Sequence, residues 1–382
     1  MTERRDRSRE GMRAPGGVRA GAVALLLAGA LSLGCVAAEP PPAAEPQGPR
    51  VIQNVVVYHE PGRFAGWPAN NGLWSWGDEI LVGFSQAYYE ESEDRHSIDR
   101  DRPHVRVMAR SLDGGLTWSL ETHDVFTGAD EDAKPGPDRI AFDHPDFALT
   151  VRWQHYHVSD DRGRTWSEAY RLPDFGQHEI HARTDYLVEG PDSCLLFLTS
   201  TKTNGKEGRP FVARMRGGDA IEFVSWIAPE PEGYSIMPST VRLSDGGLLS
   251  AIRRYERGEV NRGWIETWLS EDDGQSWTAR SHVAETGERS GNPPSLVRLS
   301  DGRLAVTYAY RSRPYGIKAR ISRDEGRTWG DEIALRADSR TWDIGYTRSV
   351  QRPDGKIVTI YYHTVEEMRE QHIAATIWDP GS

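Results

Sequence analysis

Cysteine and long hydrophobic runs are scarce in this chain. The 382 residues include only two cysteines, Cys35 and Cys194, which is too few for a disulfide framework. The run of small and apolar residues at 20–34 is shorter than a membrane-spanning helix requires. Helical periodicity is nearly absent, the segment EEMREQ at 366–371 being too short to count. These absences argue against a disulfide-stabilised miniature fold, a membrane-spanning protein and a helical bundle.

Net positive charge is also absent. The chain has 46 Lys and Arg against 57 Asp and Glu, a formal net charge of −11. An acidic chain is a poor match to a phosphate backbone, so no nucleic-acid partner is predicted. A local basic centre for an anionic ligand remains compatible with this value, because net charge describes the molecule as a whole.

Residues 1–35 are typical of an export signal, since an arginine-bearing start precedes the apolar run. LSLGC at 31–35 resembles a bacterial lipobox, although Ser32 stands where an aliphatic residue is usual. Processing there leaves Cys35 as a lipidated first residue, whereas VAA at 36–38 suits ordinary signal peptidase. We expect a protein of the periplasm or cell envelope, or a secreted one, with membrane contact only through a lipid on Cys35. Residues 36–50, rich in Pro and Ala, are expected to be a linker.

An eight-residue phrase occurs four times in the chain. Each copy reads Ser, any residue, Asp, any residue, Gly, any residue, Thr or Ser, and Trp. A tight turn between two strands explains the pattern: the Asp carboxylate accepts backbone N–H groups, the Gly takes a positive φ, and the Trp begins the next strand as an apolar anchor. The copies are SLDGGLTW at 111–118, SDDRGRTW at 159–166, SEDDGQSW at 270–277 and SRDEGRTW at 322–329.

A second repeated pattern predicts six β-hairpins, each with an apolar strand, a polar turn that is usually Asp-Gly, and a strand rich in Leu, Ile or Val. Six units of four short strands give an all-β, six-bladed propeller at 51–382. Residues 51–60 are predicted to close the ring, and a unit without the phrase is predicted near 213–223. The hairpins lie at 74–84, 143–153 (the weakest), 186–198, 240–252, 296–308 and 349–362.

The four phrases resemble the Asp-box, or bacterial neuraminidase repeat, of sialidase-like β-propellers. This resemblance implies a six-bladed propeller of the sialidase type. It also implies that the boxes lie on the outer edges of the blades, away from the catalytic centre. The Asp-box aspartates are therefore interpreted as structural residues.

The resemblance further implies three arginines that hold a carboxylate. The matching residues are Arg63 ahead of the first hairpin, Arg253 at the end of an inner strand, and Arg311 after the fifth hairpin. Arg253 is preferred to Arg254 because alternation sends only one of them inward, and Arg313 is the rival of Arg311. Guanidinium groups from three blades can bind one carboxylate with bidentate geometry.

In the same family a Tyr attacks the anomeric carbon and an Asp acts as acid/base. Tyr346, directly ahead of the sixth hairpin, matches this nucleophile, which is an exception to the usual pair of glycosidase carboxylates. Asp343 is predicted to orient Tyr346 or to replace it. Asp101 matches the acid/base position and Asp99 is the alternative. A general acid there requires a pKa raised by partial burial.

The sequence departs from the family where a Glu should activate the tyrosine. Residues 235–240 read SIMPST, with Met237 nearest to that position. Glu230, Glu232 and Glu266 are nearby substitutes, and the spacing selects none of them. A tyrosine without such a base is a weak nucleophile. The departure leaves open another glycosidase, a lyase or a binding protein.

Other polar residues open hairpins on the arginine side. Arg183 is expected either to pair with Asp185 or to bind an anion. His144, His178 and His181 lack the spacing of a zinc motif and are expected to hydrogen-bond within the funnel wall or to sugar hydroxyls. No metal and no cofactor are predicted.

The combined prediction is an exported, monomeric glycoside hydrolase that resembles exo-α-sialidases, acts on a glycan and releases a terminal acidic sugar with retention. One alternative is a hydrolase or lyase for another acidic polysaccharide, and another is a non-catalytic glycan-binding lipoprotein. The predicted site residues are Tyr346 and Asp101 for catalysis and Arg63, Arg253, Arg311, Arg183 and Asp343 for substrate binding.

Overall fold

The computed structural model describes residues 47–126, 133–177 and 179–382. The export signal, Cys35 and residues 36–46 of the linker lie outside these ranges, so the expectations for them stay predictions. Within the described ranges the chain forms 24 strands, a short helix α1 at Pro68–Asn71 and a 3-10 turn at Asp124–Phe126. The strands are β1 Arg50–Tyr58, β2 Arg63–Gly66, β3 Leu73–Trp76, β4 Glu79–Tyr88, β5 Val105–Ser111, β6 Ser119–Glu121, β7 Ala148–Arg152, β8 His155–Ser159, β9 Tyr170–Arg171, β10 Tyr186–Gly190, β11 Ser193–Thr201, β12 Glu207–Arg216, β13 Ala220–Trp226, β14 Tyr234–Arg242, β15 Leu248–Glu256, β16 Arg262–Ser270, β17 Thr278–Gly287, β18 Ser295–Arg298, β19 Leu304–Tyr310, β20 Gly316–Ser322, β21 Ile333–Arg336, β22 Gly345–Gln351, β23 Ile357–His363 and β24 His372–Asp379.

These strands form six antiparallel sheets, which are the blades of a propeller. Blade 1 contains β2–β6, blade 2 β7–β9, blade 3 β10–β13, blade 4 β14–β17, blade 5 β18–β21, and blade 6 β22–β24 together with β1. Five of the blades contribute inner-strand residues to a shared cavity of about 300 Å³. This cavity marks the axis, and the arrangement confirms the predicted six-bladed β-propeller.

The first and last parts of the propeller meet in blade 6. Strand β1 pairs antiparallel with β24, so that Val51 lies opposite Trp378 and Val55 opposite Ala375. The predicted closing strand is therefore confirmed. A blade without an Asp-box is confirmed as well, because β12 and β13 are joined by the short turn at 217–219.

Blade 2 differs from its prediction. Residues 143–147 form turns, and in the described part of the chain β7 is the only strand of the hairpin expected at 143–153. Pro145 has no N–H group to give to a strand ladder. The carboxylate of Asp146 is bound instead by the guanidinium of Arg162, with Nε 2.5 Å from Oδ1. The local sequence thus favours a turn held by an ion pair over a strand.

All four Asp-boxes form the same hydrogen-bonded turn between two outer strands. In the first box, Oδ1 of Asp113 accepts from Ser111 Oγ at 2.8 Å and from the Thr117 N–H at 2.9 Å. Gly115 donates its N–H to Ser111 Oγ and has a φ of 90°. The predicted roles of Asp and Gly are confirmed, and the same bonds recur at Asp161, Asp272 and Asp324.

Apolar side chains from neighbouring blades pack together into the core. The largest cluster combines Phe84 of blade 1 with Ile360 and Ile377 of blade 6, all of them fully buried. Burial of each such side chain contributes about 1.5–3 kcal/mol. Met237 and Tyr346 belong to the same cluster, so the predicted nucleophile packs against buried apolar side chains. Among the described residues, no helix has the length and apolar character needed to cross a bilayer.

Candidate active site at the axial ends of the inner strands

Two inner strands are distorted near the axis. The pairing of β22 with β23 shifts its register around Tyr346, which has a φ of 50°, and that of β14 with β15 shifts around Met237, which has a φ of 54°. Gly345 precedes the tyrosine with a φ of 104°, and a Cβ added there would lie 2.4 Å from the Cβ of Ala309. Bulges of this kind redirect side chains, often at functional sites. Both distortions turn a side chain towards Arg253.

Arg253 is the central cation of this site and is only 4% exposed. Its Nη1 donates to the Tyr346 hydroxyl at 3.1 Å and lies 3.6 Å from the sulfur of Met237. Its Nη2 donates to the Tyr234 hydroxyl at 3.0 Å, and its Nε donates to the carbonyl of Ser290 at 3.0 Å. The guanidinium is therefore fixed by the protein with one edge against the tyrosine oxygen.

Arg311 is a second buried cation near the same tyrosine and is 1% exposed. Its Nε and Nη2 donate to the carbonyl of Ile344 at 3.1 and 2.8 Å, and Nη1 donates to the carbonyl of Gly291 at 3.3 Å. Nη2 also donates to the Tyr362 hydroxyl at 2.6 Å. The guanidinium carbon is 5.4 Å from the centre of the Tyr346 ring, so two buried cations flank one phenol.

These cations change the acidity of Tyr346. Burial acts to raise the pKa of its phenol, but the charges of Arg253 and Arg311 and the Arg253 hydrogen bond lower it below the ordinary value of 10.0. The neighbouring Tyr362 shows the opposite result, because burial raises its pKa well above 10.0. Of these two buried tyrosines, Tyr346 is therefore the one whose surroundings ease loss of the hydroxyl proton.

Asp343 forms a second buried centre beside the first. Its carboxylate is 1% exposed and accepts four hydrogen bonds, from His96 Nδ1 at 2.5 Å, Tyr362 OH at 2.6 Å, Ser97 N–H at 3.1 Å and Gln371 Nε2 at 3.2 Å. Burial acts to raise the pKa of Asp343, but the charge and hydrogen bond of His96 outweigh it and lower the pKa. Because Tyr362 contacts both Asp343 and Arg311, the two centres are continuous.

The loop that carries His96 connects β4 of blade 1 to β5 and reaches across to blade 6. The carbonyl of Glu93 in this loop accepts from Trp342 Nε1 and from Arg289 Nη1, both at 2.7 Å. The ring of His96 lies between two indoles, 5.1 Å from Trp67 and 5.8 Å from Trp342. The loop therefore forms one wall of the site, with His96 held between aromatic side chains.

Comparison with known proteins agrees with this architecture. A family model described as "BNR repeat-like domain" matches residues 144–360, more than half of the chain. The chain belongs to this BNR repeat-like family. No curated protein is significantly similar to it in sequence.

Solved structures share the fold of this BNR repeat-like protein at low sequence identity. A protein of unknown function from Dyadobacter fermentans is 20% identical with a TM-score of 0.65, over 87% of this chain and 99% of that one. The α-L-arabinanase of Penicillium chrysogenum, in complex with arabinobiose, is 14% identical with a TM-score of 0.57, over 87% and 99%. The NanB sialidase of Streptococcus pneumoniae is 12% identical with a TM-score of 0.56, over 85% and 70%. These similarities confirm the sialidase-type propeller fold.

The structure of the BNR repeat-like protein brings Arg253 and Arg311 to Tyr346, as the sequence predicts, and Asp343 is linked to Arg311 through Tyr362. The chosen arginines are the inward ones. Arg254, one residue after Arg253, instead donates to Glu266 at 2.8 Å, and the rival Arg313 is exposed beside Tyr315. Asp343 bonds Tyr362 and His96 rather than Tyr346, so it does not orient Tyr346 directly. The binding and catalytic roles of these residues stay predictions.

Arg63 and Asp101 have other surroundings. The Arg63 guanidinium donates to Gln86 Oε1 at 2.9 Å and stacks on Tyr88 at 3.9 Å, rather than meeting Tyr346. Asp101 is exposed, and its backbone N–H donates to Asp99 Oδ1 at 3.0 Å. The expected partial burial of Asp101 is wrong, because this end of the loop points into solvent.

The expected pair of Arg183 and Asp185 is also wrong. Arg183 binds the carboxylate of Glu207 through both terminal nitrogens and donates to the carbonyl of His181 at 2.8 Å. Asp185 has an oxygen 3.9 Å from Nη1 of Arg348 instead. Each member of the expected pair thus has another partner of opposite charge, Glu207 for Arg183 and Arg348 for Asp185.

The missing glutamate is not replaced. Within residues 47–126, 133–177 and 179–382, no carboxylate oxygen is hydrogen-bonded to the Tyr346 hydroxyl, and Met237 lies beside Arg253 instead. Glu266 binds Arg254, and Glu230 accepts from Thr203. Glu232 contributes its backbone carbonyl to Lys202. Arg253 and Arg311, which lower the pKa of the phenol but cannot accept its proton, are the charged groups next to the Tyr346 ring instead.

The histidines do not gather into a metal centre. His144 is exposed, His181 packs edge-on against Trp153, and His178 lies outside the described residues. In the part of the chain that the structure describes, no group of three His, Cys, Asp or Glu side chains is arranged to hold a metal ion.

Sequence reasoning missed several residues of the site, chiefly His96, Tyr362 and Gln371. His96 lies in the acidic loop at 88–106 that was expected to supply a carboxylate. Tyr362 and Gln371 border the loop after the sixth hairpin, which carries no repeated motif. The available signal was one histidine within a loop of carboxylates, and nothing local indicated that Asp343 would be its partner.

Proposed function

We propose that this protein is a retaining glycosidase of the sialidase type, which releases a terminal acidic sugar from a glycan with Tyr346 as the nucleophile. The proposal is supported by the family, by the sialidase-type fold and by the placement of a tyrosine, two arginines and an aspartate at one end of the axis. A tyrosine nucleophile is known among retaining enzymes that act on acidic sugars.

The observation that carries the proposal is the hydrogen bond of 3.1 Å from Arg253 to the Tyr346 hydroxyl, with Arg311 against the same ring. A phenol needs a base or a lowered pKa to become a good nucleophile. Two fixed guanidinium groups supply the second condition, which accounts for Met237 where the family has an acid. Their charges also favour a negatively charged sugar over a neutral one.

The test is release of methylumbelliferone from its sialoside by wild type and by Tyr346→Phe. The variant keeps the ring and removes the attacking oxygen, so turnover should fall by about 10³-fold or more. Tyr361→Phe is the matched control, because it removes a buried tyrosine hydroxyl of the neighbouring strand β23, which bonds Thr376 at 2.6 Å. Absence of turnover in wild type would remove the sialidase assignment.

A second candidate is a lyase for a uronic-acid polysaccharide, favoured by a Tyr346 hydroxyl whose pKa is lowered and to which no carboxylate of the described residues is hydrogen-bonded. A tyrosine that loses its proton can remove a proton from carbon as well as attack an anomeric centre. Incubation with uronic-acid glycans separates the two reactions, because elimination yields an unsaturated sugar that absorbs in the ultraviolet and hydrolysis does not. Saturable binding of these glycans without any new chain ends would instead identify a binding protein.

A further inference from the structure

The geometry points to His96 as the group that passes a proton to the leaving oxygen, with Asp343 as the residue that positions it. This inference deepens the proposed function and rests on it. It replaces Asp101, the acid/base predicted from the sequence, by a histidine five residues earlier in the chain, at the anchored part of the same loop.

The Asp343 carboxylate is committed to orienting its neighbours. It accepts from Tyr362, Ser97 and Gln371 besides His96, and so many donors keep a buried carboxylate ionised. With Nδ1 of His96 held at 2.5 Å by this anion, Nε2 is the ring nitrogen that can reach a bound molecule. A carboxylate that fixes one imidazole nitrogen and directs the other to the reaction is a recurrent catalytic arrangement.

His96 is placed to meet a ligand. Its side chain is 26% exposed, in contrast to the buried Asp343. It lies between the rings of Trp67 and Trp342, and Trp342 is in turn 5.4 Å from the guanidinium of Arg311. Successive neighbours therefore connect His96 to Tyr346 through Trp342 and Arg311.

The loop around His96 is anchored to blades 5 and 6. The N–H of Ser97 binds Asp343, and the carbonyl of Glu93 is held by both Trp342 and Arg289. A general acid must be held in a defined position relative to the leaving group. Asp101 is exposed and its contact is with Asp99, so it lacks a comparable restraint.

The reaction balances with these two residues. The proposed cycle starts with Tyr346 as the phenolate and with a proton on each ring nitrogen of His96. In the first step the Tyr346 oxygen bonds to the anomeric carbon, the bond from that carbon to the leaving oxygen breaks, and the leaving oxygen takes the proton from His96 Nε2. In the second step water gives a proton to His96 Nε2, its oxygen bonds to the anomeric carbon, and the bond to Tyr346 breaks. One glycoside and one water yield one free sugar and one alcohol.

Leaving-group dependence tests the assignment. We would compare kcat/KM for methylumbelliferyl sialoside, whose phenolic leaving group needs little protonation, with that for sialyllactose, whose leaving group is a sugar hydroxyl. His96→Asn keeps an N–H for Asp343 and loses the proton donor, so it should lower the value for sialyllactose by about 10²–10⁴-fold and that for the aryl sialoside far less. Asp343→Asn should change the two values in the same unequal way, but less strongly.

Asp101→Asn tests the acid predicted from the sequence, and the assignment of His96 predicts no unequal loss for it. Asp94→Asn, at a carboxylate of the same loop whose side chain is 96% exposed, is the matched control and should behave as wild type with both substrates. Equal losses on the two substrates in His96→Asn, or an unequal loss in Asp101→Asn, would overturn the assignment of His96 while leaving the proposed function intact. If wild type cleaves neither sialoside, the proposed function and this inference fall together. Circular dichroism of each variant verifies that the fold is retained.

Discussion

The aspartates of the Asp-boxes at the blade edges and the aspartates near the axis are bound by different kinds of partner. Asp113 is bound by residues at most four positions away in the chain, whereas Asp343 is bound by His96 and Ser97, which are 247 and 246 positions away. Burial acts to raise the pKa of Asp113, but hydrogen bonding within the box outweighs it and lowers the pKa to about 2. At the axis, burial raises the pKa of Asp185 to about 7. The local sequence thus determines the surroundings of the aspartates at the blade edges. Contacts between distant parts of the chain determine the surroundings of those near the axis.

The largest effect on activity is expected at the axis. Arg253→Met removes the cation that binds the Tyr346 oxygen, so the phenol loses its stabilisation as an anion and turnover of the sialoside should fall by about 10²–10³-fold. Arg254→Met is the matched control, because that side chain lies on the other face of β15 against Glu266. Equal activities of the two variants would break the distinction between the inner and outer faces of the blade.

An Asp-box substitution should act on stability instead. Asp324→Ala removes the acceptor for Ser322 Oγ and for the N–H and hydroxyl of Thr328, so the free energy of unfolding should fall by about 1–2 kcal/mol with kcat unchanged. Urea unfolding monitored by tryptophan fluorescence measures this change. Asp331→Ala, at an exposed position in the same blade, is the control. A loss of kcat in the folded Asp324→Ala protein would contradict a purely structural box.

A third effect concerns the pH dependence of stability. Burial raises the pKa of Asp185 from 3.8 to about 7, so its contribution to stability is fully present below pH 3.8 and is lost as the pH rises through about 7. The Tm of wild type should therefore fall relative to that of Asp185→Asn across this range. The Asp-boxes have the opposite sign, since the stability from a lowered pKa is lost only as pH falls through about 2. Parallel Tm curves for wild type and Asp185→Asn would show that Asp185 does not titrate differently on folding.

Most of the fold could be predicted from sequence because its signals are local. Each Asp-box specifies its own turn through residues within a span of eight, and each Asp-Gly hairpin sets its own register. The strand at 51–60 that closes the ring could be predicted because the last unit of the sequence is one strand short. Blade 2 could not be predicted in this way, because the contact of Asp146 with Arg162 takes the place of strand pairing at 143–147.

The residues of the candidate site could be predicted only where strand alternation, or position within the repeat, determines which way a side chain points. Alternation placed Arg253 inward, and position ahead of the sixth hairpin found Tyr346. The partners of Arg63 and the solvent exposure of Asp101 depend on the conformations of long loops that pack against neighbouring blades. The repeated motifs do not specify these conformations. His96 was missed for the same reason, since its bond to Asp343 joins the first blade to the last.

The most direct test of the central claim is the ionisation of Tyr346 itself. NMR of protein labelled with carbon-13 at the tyrosine rings, with Tyr346→Phe to assign the signal, follows each phenol as pH rises. We predict that Tyr346 ionises below pH 10.0 in wild type and at higher pH in Arg253→Met, while Tyr362 stays protonated well beyond that value. A Tyr346 signal that titrates at or above pH 10.0 in wild type, or that is unmoved by Arg253→Met, would contradict the claim that buried arginines activate this tyrosine.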